Sequence, residues 1–245
     1  MASPLEQFEI ETIVPITIGG LDASFTNSSL VMLIAVALIT AFLVLAVSER
    51  QLVPGRWQSI AELIYEFVGN MIRTNVGSGG RPYFPFIFSL FLFVLLGNML
   101  GMIPYSFTFT SHLVVTLGLA LAVFIGTTVI AFIKHGVRFF GFFLPHGTPW
   151  YIAPLLIPIE VLSYFTRPVS LSLRLFANMT AGHTLLKVFA GFVFPMGAAG
   201  LVVAGAVPLA ATVALTGLEF LVAFLQAYVF AVLSCIYLHD ALHMH

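Results

Sequence analysis

The sequence holds a single cysteine, Cys235. No disulfide can form within the chain, and a cysteine-based metal cluster is excluded. Charge is scarce as well. Asp, Glu, Lys and Arg make up 8% of the residues, where an ordinary soluble domain carries about 25%. Nine basic residues stand against ten acidic ones, for a net charge of −1. A nucleic-acid binder would need a basic patch, and none can be built from this set. What the chain has in excess is apolar. Of its 245 residues 60% are hydrophobic, and 25 are Phe. One water-soluble core of ordinary size cannot hide that many large apolar side chains. A soluble globular enzyme and a disordered protein are both excluded. A multi-span membrane protein remains.

The charges that exist are clumped. Glu6, Glu9, Glu11 and Asp22 come before any basic residue, and Ala23 to Ser48 is uncharged. A mixed group follows (Glu49, Arg50, Arg56, Glu62, Glu66, Arg73 and Arg81), and then Pro82 to Ile133 is uncharged, long enough for two crossings. Lys134 and Arg138 close that run, after which only Glu160, Arg167, Arg174, Lys187, Glu219 and Asp240 carry charge. A bilayer core about 30 Å thick takes roughly 20 apolar residues in helix. Helices rather than strands fit runs of this length, because lipid offers exposed backbone groups no partner.

These runs predict one all-α polytopic membrane domain over 1–245 with about five transmembrane helices and an amphipathic interfacial helix. An outer N-terminal segment covers 1–27, with spans at 28–48, 84–103 and 112–133, and two long helices at 150–193 and 198–240. Pro104-Tyr105-Ser106 separates the second and third spans, and Pro195-Met196-Gly197 the last two helices. The fourth segment, if continuous, would be roughly 65 Å long at 1.5 Å per residue. It must be strongly tilted, lie partly in the membrane plane, or be broken, and Pro154, Pro158 and Pro168 mark possible bends. The interfacial helix is placed at 56–76. Ile60, Leu63, Ile64, Phe67, Val68, Met71 and Ile72 share one face there, while Gln58, Glu62, Glu66, Asn70 and Arg73 take the other. A connector packed on other helices would read the same way.

Orientation follows from the basic residues. The stretch 1–22 has none, whereas 49–81 has four Arg and 134–138 has Lys134 and Arg138. The positive-inside rule puts those loops and the C-terminus inside and the N-terminus outside. No basic region runs at once into an apolar one at the start of the chain, so no cleavable secretory signal is expected. No internal repeat is evident.

The informative region is 160–226. Glu160, Ser163, Arg167, Ser170, Arg174 and Asn178 recur at steps of three and four, one narrow polar stripe on a helix otherwise made of Leu, Val, Ile and Phe. Each intramembrane charge costs at least ~2.5–3.5 kcal/mol on insertion scales. Such a stripe lines water, faces a partner, or both. For Ser163 and Ser170 a helix-packing hydrogen bond explains the residue equally well. Arg174 differs, because no carboxylate lies within a turn of it, and Glu160 is ~21 Å away along an ideal axis. A guanidinium stays protonated in essentially any protein setting. Arg174 is therefore a fixed cation at membrane depth, unable to relay protons but able to attract and ionise an approaching carboxylic acid.

Groups that do relay protons flank it. His183 lies ~13 Å beyond Arg174 and nearly opposite it in helical angle. Either it faces a different neighbour, or Ala181-Gly182 lets the helix turn. In the last helix Glu219 and Gln226 share a face, with Thr212 and Thr216 close to it. Glu219 is the only acid between Glu160 and Asp240, and His183 is a candidate partner across the hairpin. Counted from Pro195-Met196-Gly197, His183 is 13 residues before the break and Glu219 22 after, so the two meet only if the helices are staggered or tilted. Lys187 reads as a snorkelling residue. Arg167 either snorkels inward or anchors a neighbouring subunit. His239, His243 and His245 with Asp240 read as a solvated tail rather than a metal site, and no cofactor is implied.

These residues have a family likeness. The segment from Ser170 through Arg174-Leu-Phe-Ala-Asn178 to His183 resembles the signature of the a subunit of F-type ATP synthase. Glu160 to Val169, Leu225-Gln226-Ala-Tyr-Val-Phe, Tyr237-Leu-His-Asp240 and Gly97-Asn98-Met-Leu-Gly-Met-Ile-Pro104 resemble further stretches of that family. The resemblance covers nearly the whole chain and is weakest in 1–50 and 185–215. It implies a stator subunit that offers two offset half-channels to a rotating ring of c subunits, each with one essential carboxylate. Arg174 would face the ring. Asn178, His183, Glu219 and Gln226 would belong to the outer half-channel with Asn98, and Glu160 would sit near the inner exit. Ser170 would lie along the proton path. The resemblance implies as partners the c ring, the b and b′ peripheral-stalk subunits, the rest of the F1F0 complex and the lipid of a bacterial inner membrane; a mitochondrial inner membrane is the lesser alternative. Many bacterial members carry Glu at the position of His183 and His at that of Glu219. The exchange seen here is the mitochondrial and alphaproteobacterial pattern, and no role is carried to Gly101, where some members have an acid. The competing class is a self-contained transporter or channel, which usually shows paired repeats and broken midplane helices. A mere structural scaffold leaves an unpaired arginine unexplained.

Overall fold

A computed structural model describes residues 9–18, 21–22, 24–48, 51, 53–103, 106–143, 151–198 and 202–243. Among them are six α-helices: α1 Asn27–Ser48, α2 Arg56–Asn75, α3 Phe84–Gly101, α4 Leu113–His135, α5 Ala153–Ala198 and α6 Val202–Leu242. The sequence readings at Glu6, Glu49, Arg50, Pro104-Tyr105 and His245 lie outside the described residues. The fold is that of an all-α polytopic membrane protein. Four of the described segments are long and apolar enough to cross a membrane: α1, Ser78–Gly101, α4 and Gly205–Leu242. α5, with Glu160, Arg167, Arg174 and Lys187 along it, is not one of the four.

Ahead of α1 the chain forms two small antiparallel pairs. β1 (Thr12–Val14) pairs with β4 (Phe25–Thr26), and β2 (Thr17–Ile18) with β3 (Leu21–Asp22). The sequence gives little sign of these strands, which are two or three residues long. Asn27 closes the hairpin onto α1, its side-chain amide donating to the Glu9 carbonyl at 3.1 Å and its backbone amide to that of Glu11.

α6 is the hub, packing against α2, α3, α4 and α5, while α1 packs mainly on α2 and α3. Ala223, Ala227 and Ala231 recur every four residues along α6 and are fully buried, followed by buried Ser234 and Cys235. Between membrane helices close approach replaces the hydrophobic drive, and small residues on one stripe allow it. Into that stripe pack Phe91 and Val94 of α3, Val123 of α4, and Leu171, Leu175 and Met179 of α5. α2 divides its apolar face. Val68, Met71 and Ile72 enter this core, whereas Trp57, Ile60 and Leu63 stay exposed.

The 46 residues of α5 form one continuous helix, roughly 70 Å long at 1.5 Å per residue. A broken fourth segment is therefore excluded. Pro154 falls in the first turn, where a backbone N–H has no helical partner in any case. The expected break at Pro195-Met196-Gly197 is also overturned, because α5 continues to Ala198 and α6 begins at Val202. Pro195 lacks the N–H that would bond the Gly191 carbonyl, so the helix forgoes that one bond close to its end.

Candidate functional site

Moving the turn past Ala198 changes the register of the hairpin. His183 is 15 residues before Ala198 (198 − 183), and Glu219 is 17 after Val202 (219 − 202). Counted from this turn, the two residues stand at nearly equal distances along their helices. His183 Nδ1 lies 3.3 Å from Glu219 Oε1, with side-chain exposures of 9% and 4%. This is ion-pair distance, although neither Glu219 oxygen meets hydrogen-bond geometry with a described protein donor. Gly182 makes room for the carboxylate. A Cβ there would stand 2.7 Å from Glu219 Oε1, so the small residue serves the opposite helix rather than a bend in its own.

Two further groups converge here. Asn98 of α3 is fully buried and donates from Nδ2 to the carbonyl of Ala223, one turn after Glu219 on α6, at 3.1 Å. Its Oδ1 makes no hydrogen bond to a described protein group. From the loop between α3 and α4, the hydroxyl of Thr108 lies 3.2 Å from His183 Nε2. Thr108 was not anticipated, and neither was the role of Gly101, whose missing side chain admits it. The signal available in the sequence was the run Thr108-Phe-Thr-Ser111-His112, a polar stretch directly after the proline break. On α6, Thr212 and Thr216, two turns and one turn before Glu219, donate backwards along the helix to the carbonyls of Pro208 and Thr212.

Arg174 is on the other side of α5. Its flanking residues Leu171 and Leu175 are buried in the core, while Ser170, Leu173, Arg174 and Ala177 are exposed on the bare face of the hairpin. Among the described residues no carboxylate comes within ion-pair distance of Arg174. Asn178, one turn on, is half-buried, as are Gln226 on α6 and Glu160 near the start of α5. Glu160 is about 21 Å of helix away from Arg174, so the chain brings together His183, Glu219 and Asn98 but not Glu160.

For Arg167 the structure adds a partner within the chain: its Nη1 donates to Asp240 Oδ2 at 3.0 Å. Tyr164 and Tyr237 each place a ring centroid 5.4 Å from its guanidinium carbon. Asp240 arrives from 73 residues away by the antiparallel return of α6, a proximity no local spacing encodes. His239 and His243 stack on each other at 4.6 Å, with Asp240 turned to Arg167 instead.

The ATP synthase A chain family matches residues 29–239 of the chain. The chain belongs to this family. ATP synthase subunit a of Paramagnetospirillum magneticum is 59% identical over the full length of both chains. That of Rhodospirillum rubrum is likewise 59% identical over all 245 residues. Subunit a of a Chelativorans strain is 61% identical across 98% of this chain and 97% of its own. The family is that of the proton-translocating subunit of the F0 sector, and this chain is a multi-pass membrane member of it.

Proposed function

We propose that the chain is the stator half of a rotary proton motor, in which Arg174 faces the ring of c-subunit carboxylates. The observation that carries this reading is a division across one helix. α5 holds His183 inward against Glu219 of α6, and turns outward a permanent cation that has no carboxylate at ion-pair distance among the described residues.

A proton enters from outside, passes the His183–Glu219 pair, and protonates a ring carboxylate. Asn98, Asn178 and Gln226 line that outer half-channel with polar atoms. The ring turns and carries the neutral acid through lipid. Near Glu160 the proton leaves toward the inside, with Ser170 on the exposed face between. The ionised carboxylate then meets Arg174, whose charge compensates it and blocks a continuous proton path, since an excess proton avoids a fixed cation. One charge crossing 100 mV releases ~2.3 kcal/mol. Several protons are therefore spent per ATP made in the F1 head, and a direct leak would waste each of them. The b and b′ subunits of the peripheral stalk hold the chain against the ring. The setting is a bacterial inner membrane, with the N-terminus outside and the C-terminus inside, as the basic loops require.

The test is ATP-driven proton pumping by the reconstituted F1F0 complex. Arg174→Ala is expected to assemble and to pump nothing, and coupled pumping by that variant would remove the central role of the arginine. The competing transporter reading is separated by placing the chain alone in vesicles. A transporter would move its substrate unaided, whereas a stator needs the ring.

A further inference from the structure

The His183–Glu219 proton path leaves undetermined which ring nitrogen of His183 exchanges protons. Thr108 supplies the answer. It is 4% exposed and held from both sides. Ser111 Oγ donates to the Thr108 carbonyl at 2.6 Å, and Thr180 of α5 donates to the Ser111 carbonyl at 3.2 Å. The Thr108 hydroxyl lies 3.3 Å from the carbonyl oxygen of Gly101 and 3.2 Å from His183 Nε2. A Cβ at Gly101 would stand 2.5 Å from Thr108 Oγ1, so this approach needs glycine.

A hydroxyl has one proton to give. The Gly101 carbonyl can only accept, and as the last residue of α3 it has no amide a turn ahead in the helix. An imidazole nitrogen can donate. One assignment satisfies all three atoms: Thr108 donates to Gly101, and His183 Nε2–H donates to Thr108. We infer that Thr108 is a positioning residue that holds His183 in its Nε2–H form, so that the ring exchanges protons through Nδ1 alone, with Glu219.

This inference rests on the proposed proton path through that pair and specifies how it works. Nδ1 and Oε1 stand 3.3 Å apart, and a small rotation of either side chain aligns them for one proton to pass between them. Either the carboxylic acid donates to a neutral ring, or the imidazolium donates to a carboxylate. Between these states one O–H bond breaks as one N–H bond forms, and the net charge of the pair is unchanged. A proton cannot pass through the ring to Thr108, because that hydroxyl would have to surrender its own proton to a carbonyl that keeps none. His183 is therefore a side store for the Glu219 proton, not a link in an in-line wire. Among the described residues, Glu219 on α6 and Lys187 one turn along α5 are charged groups that act on it. His112, from the same loop as Thr108, stacks on Phe107 at 5.0 Å.

The test uses the assembled synthase in vesicles, reading proton uptake together with the nitrogen-15 spectrum of His183, identified as the signal lost in His183→Gln. The wild type is expected to show Nε2–H. Thr108→Val should shift the ring toward Nδ1–H and slow uptake about tenfold, the scale on which partners that fix a histidine tautomer act. Thr108→Ser should restore both. A wild-type ring protonated on Nδ1, or an unchanged tautomer in Thr108→Val, overturns the inference. If Thr108→Val does not assemble, the wild-type tautomer and the Ser variant decide. Wild-type uptake by His183→Gln would instead defeat the proton-path reading, while the spectrum would still report whether Thr108 sets the tautomer.

Discussion

Arg167 and Arg174 stand seven residues apart on α5, two turns along one polar stripe, and their surroundings are opposite. Arg167 is closed in by Asp240 at 3.0 Å and by the rings of Tyr164 and Tyr237. Arg174 lies on an exposed face among Leu173 and Ala177, with no described carboxylate at ion-pair distance. Two identical charges at similar spacing thus solve the membrane's desolvation cost differently. One carries its counter-charge within the chain and ties α5 to α6. The other has no carboxylate at ion-pair distance among the described residues, as the proposed motor asks of a cation whose compensating group comes and goes. The same contrast separates the two inter-helix pairs. Arg167–Asp240 joins a permanent cation to an acid at 26% and 33% exposure, whereas His183–Glu219 is almost wholly buried and both members titrate.

The largest effect expected from this contrast is a split between the two arginines. Arg174→Ala should abolish ATP-driven pumping in the assembled complex, while Arg167→Ala should retain most of it. Equal losses would erase the distinction. Next in size is Glu219→Gln, which keeps the shape and removes the exchangeable proton. Proton uptake should slow by roughly a hundredfold, the contribution of a positioned acid–base group. A normal rate would reassign Glu219 to packing. Exchanging the partners, His183→Glu with Glu219→His, should recover part of what each single change loses, with a coupling of about 0.5–3 kcal/mol in transfer rate. Strict additivity of the two singles would mean that the 3.3 Å contact carries no function. Smallest is the tie itself. Arg167→Gln and Asp240→Asn should each cost about 0–1 kcal/mol in thermal unfolding of the complex, as part-exposed ion pairs do, and the double variant little more than either single.

The parts of the fold that follow local rules could be read from the residues. Uncharged runs locate α1, α3 and α4, and the alternating faces of Ile64, Val68 and Ile72 against Glu62, Glu66 and Arg73 mark α2 as amphipathic. The polar stripe on α5 was legible because a helix turns at a fixed angle. What escaped depends on where the chain turns back. Pro195 looks like a stop, yet α5 runs on to Ala198, and only from that turn do His183 and Glu219 fall opposite each other. Asp240 could not be assigned to Arg167 across 73 residues by any spacing rule. Thr108 and Gly101 were missed for a different reason. A threonine and a glycine near a loop are ordinary, and they matter here only because that loop docks on His183.

The most direct test of the central claim is disulfide cross-linking on the assembled synthase. Cysteines would be placed one at a time on α5 at Leu173, Ala177 and Leu175, each against a cysteine beside the essential carboxylate of the ring helix. The native Cys235 is buried and leaves the background clean. Leu173→Cys and Ala177→Cys, on the exposed face with Arg174, are expected to capture the ring, and Leu175→Cys, 1% exposed in the core, is not. Capture at Leu175 alone, or none at the two exposed positions, would mean that Arg174 does not look toward the rotor.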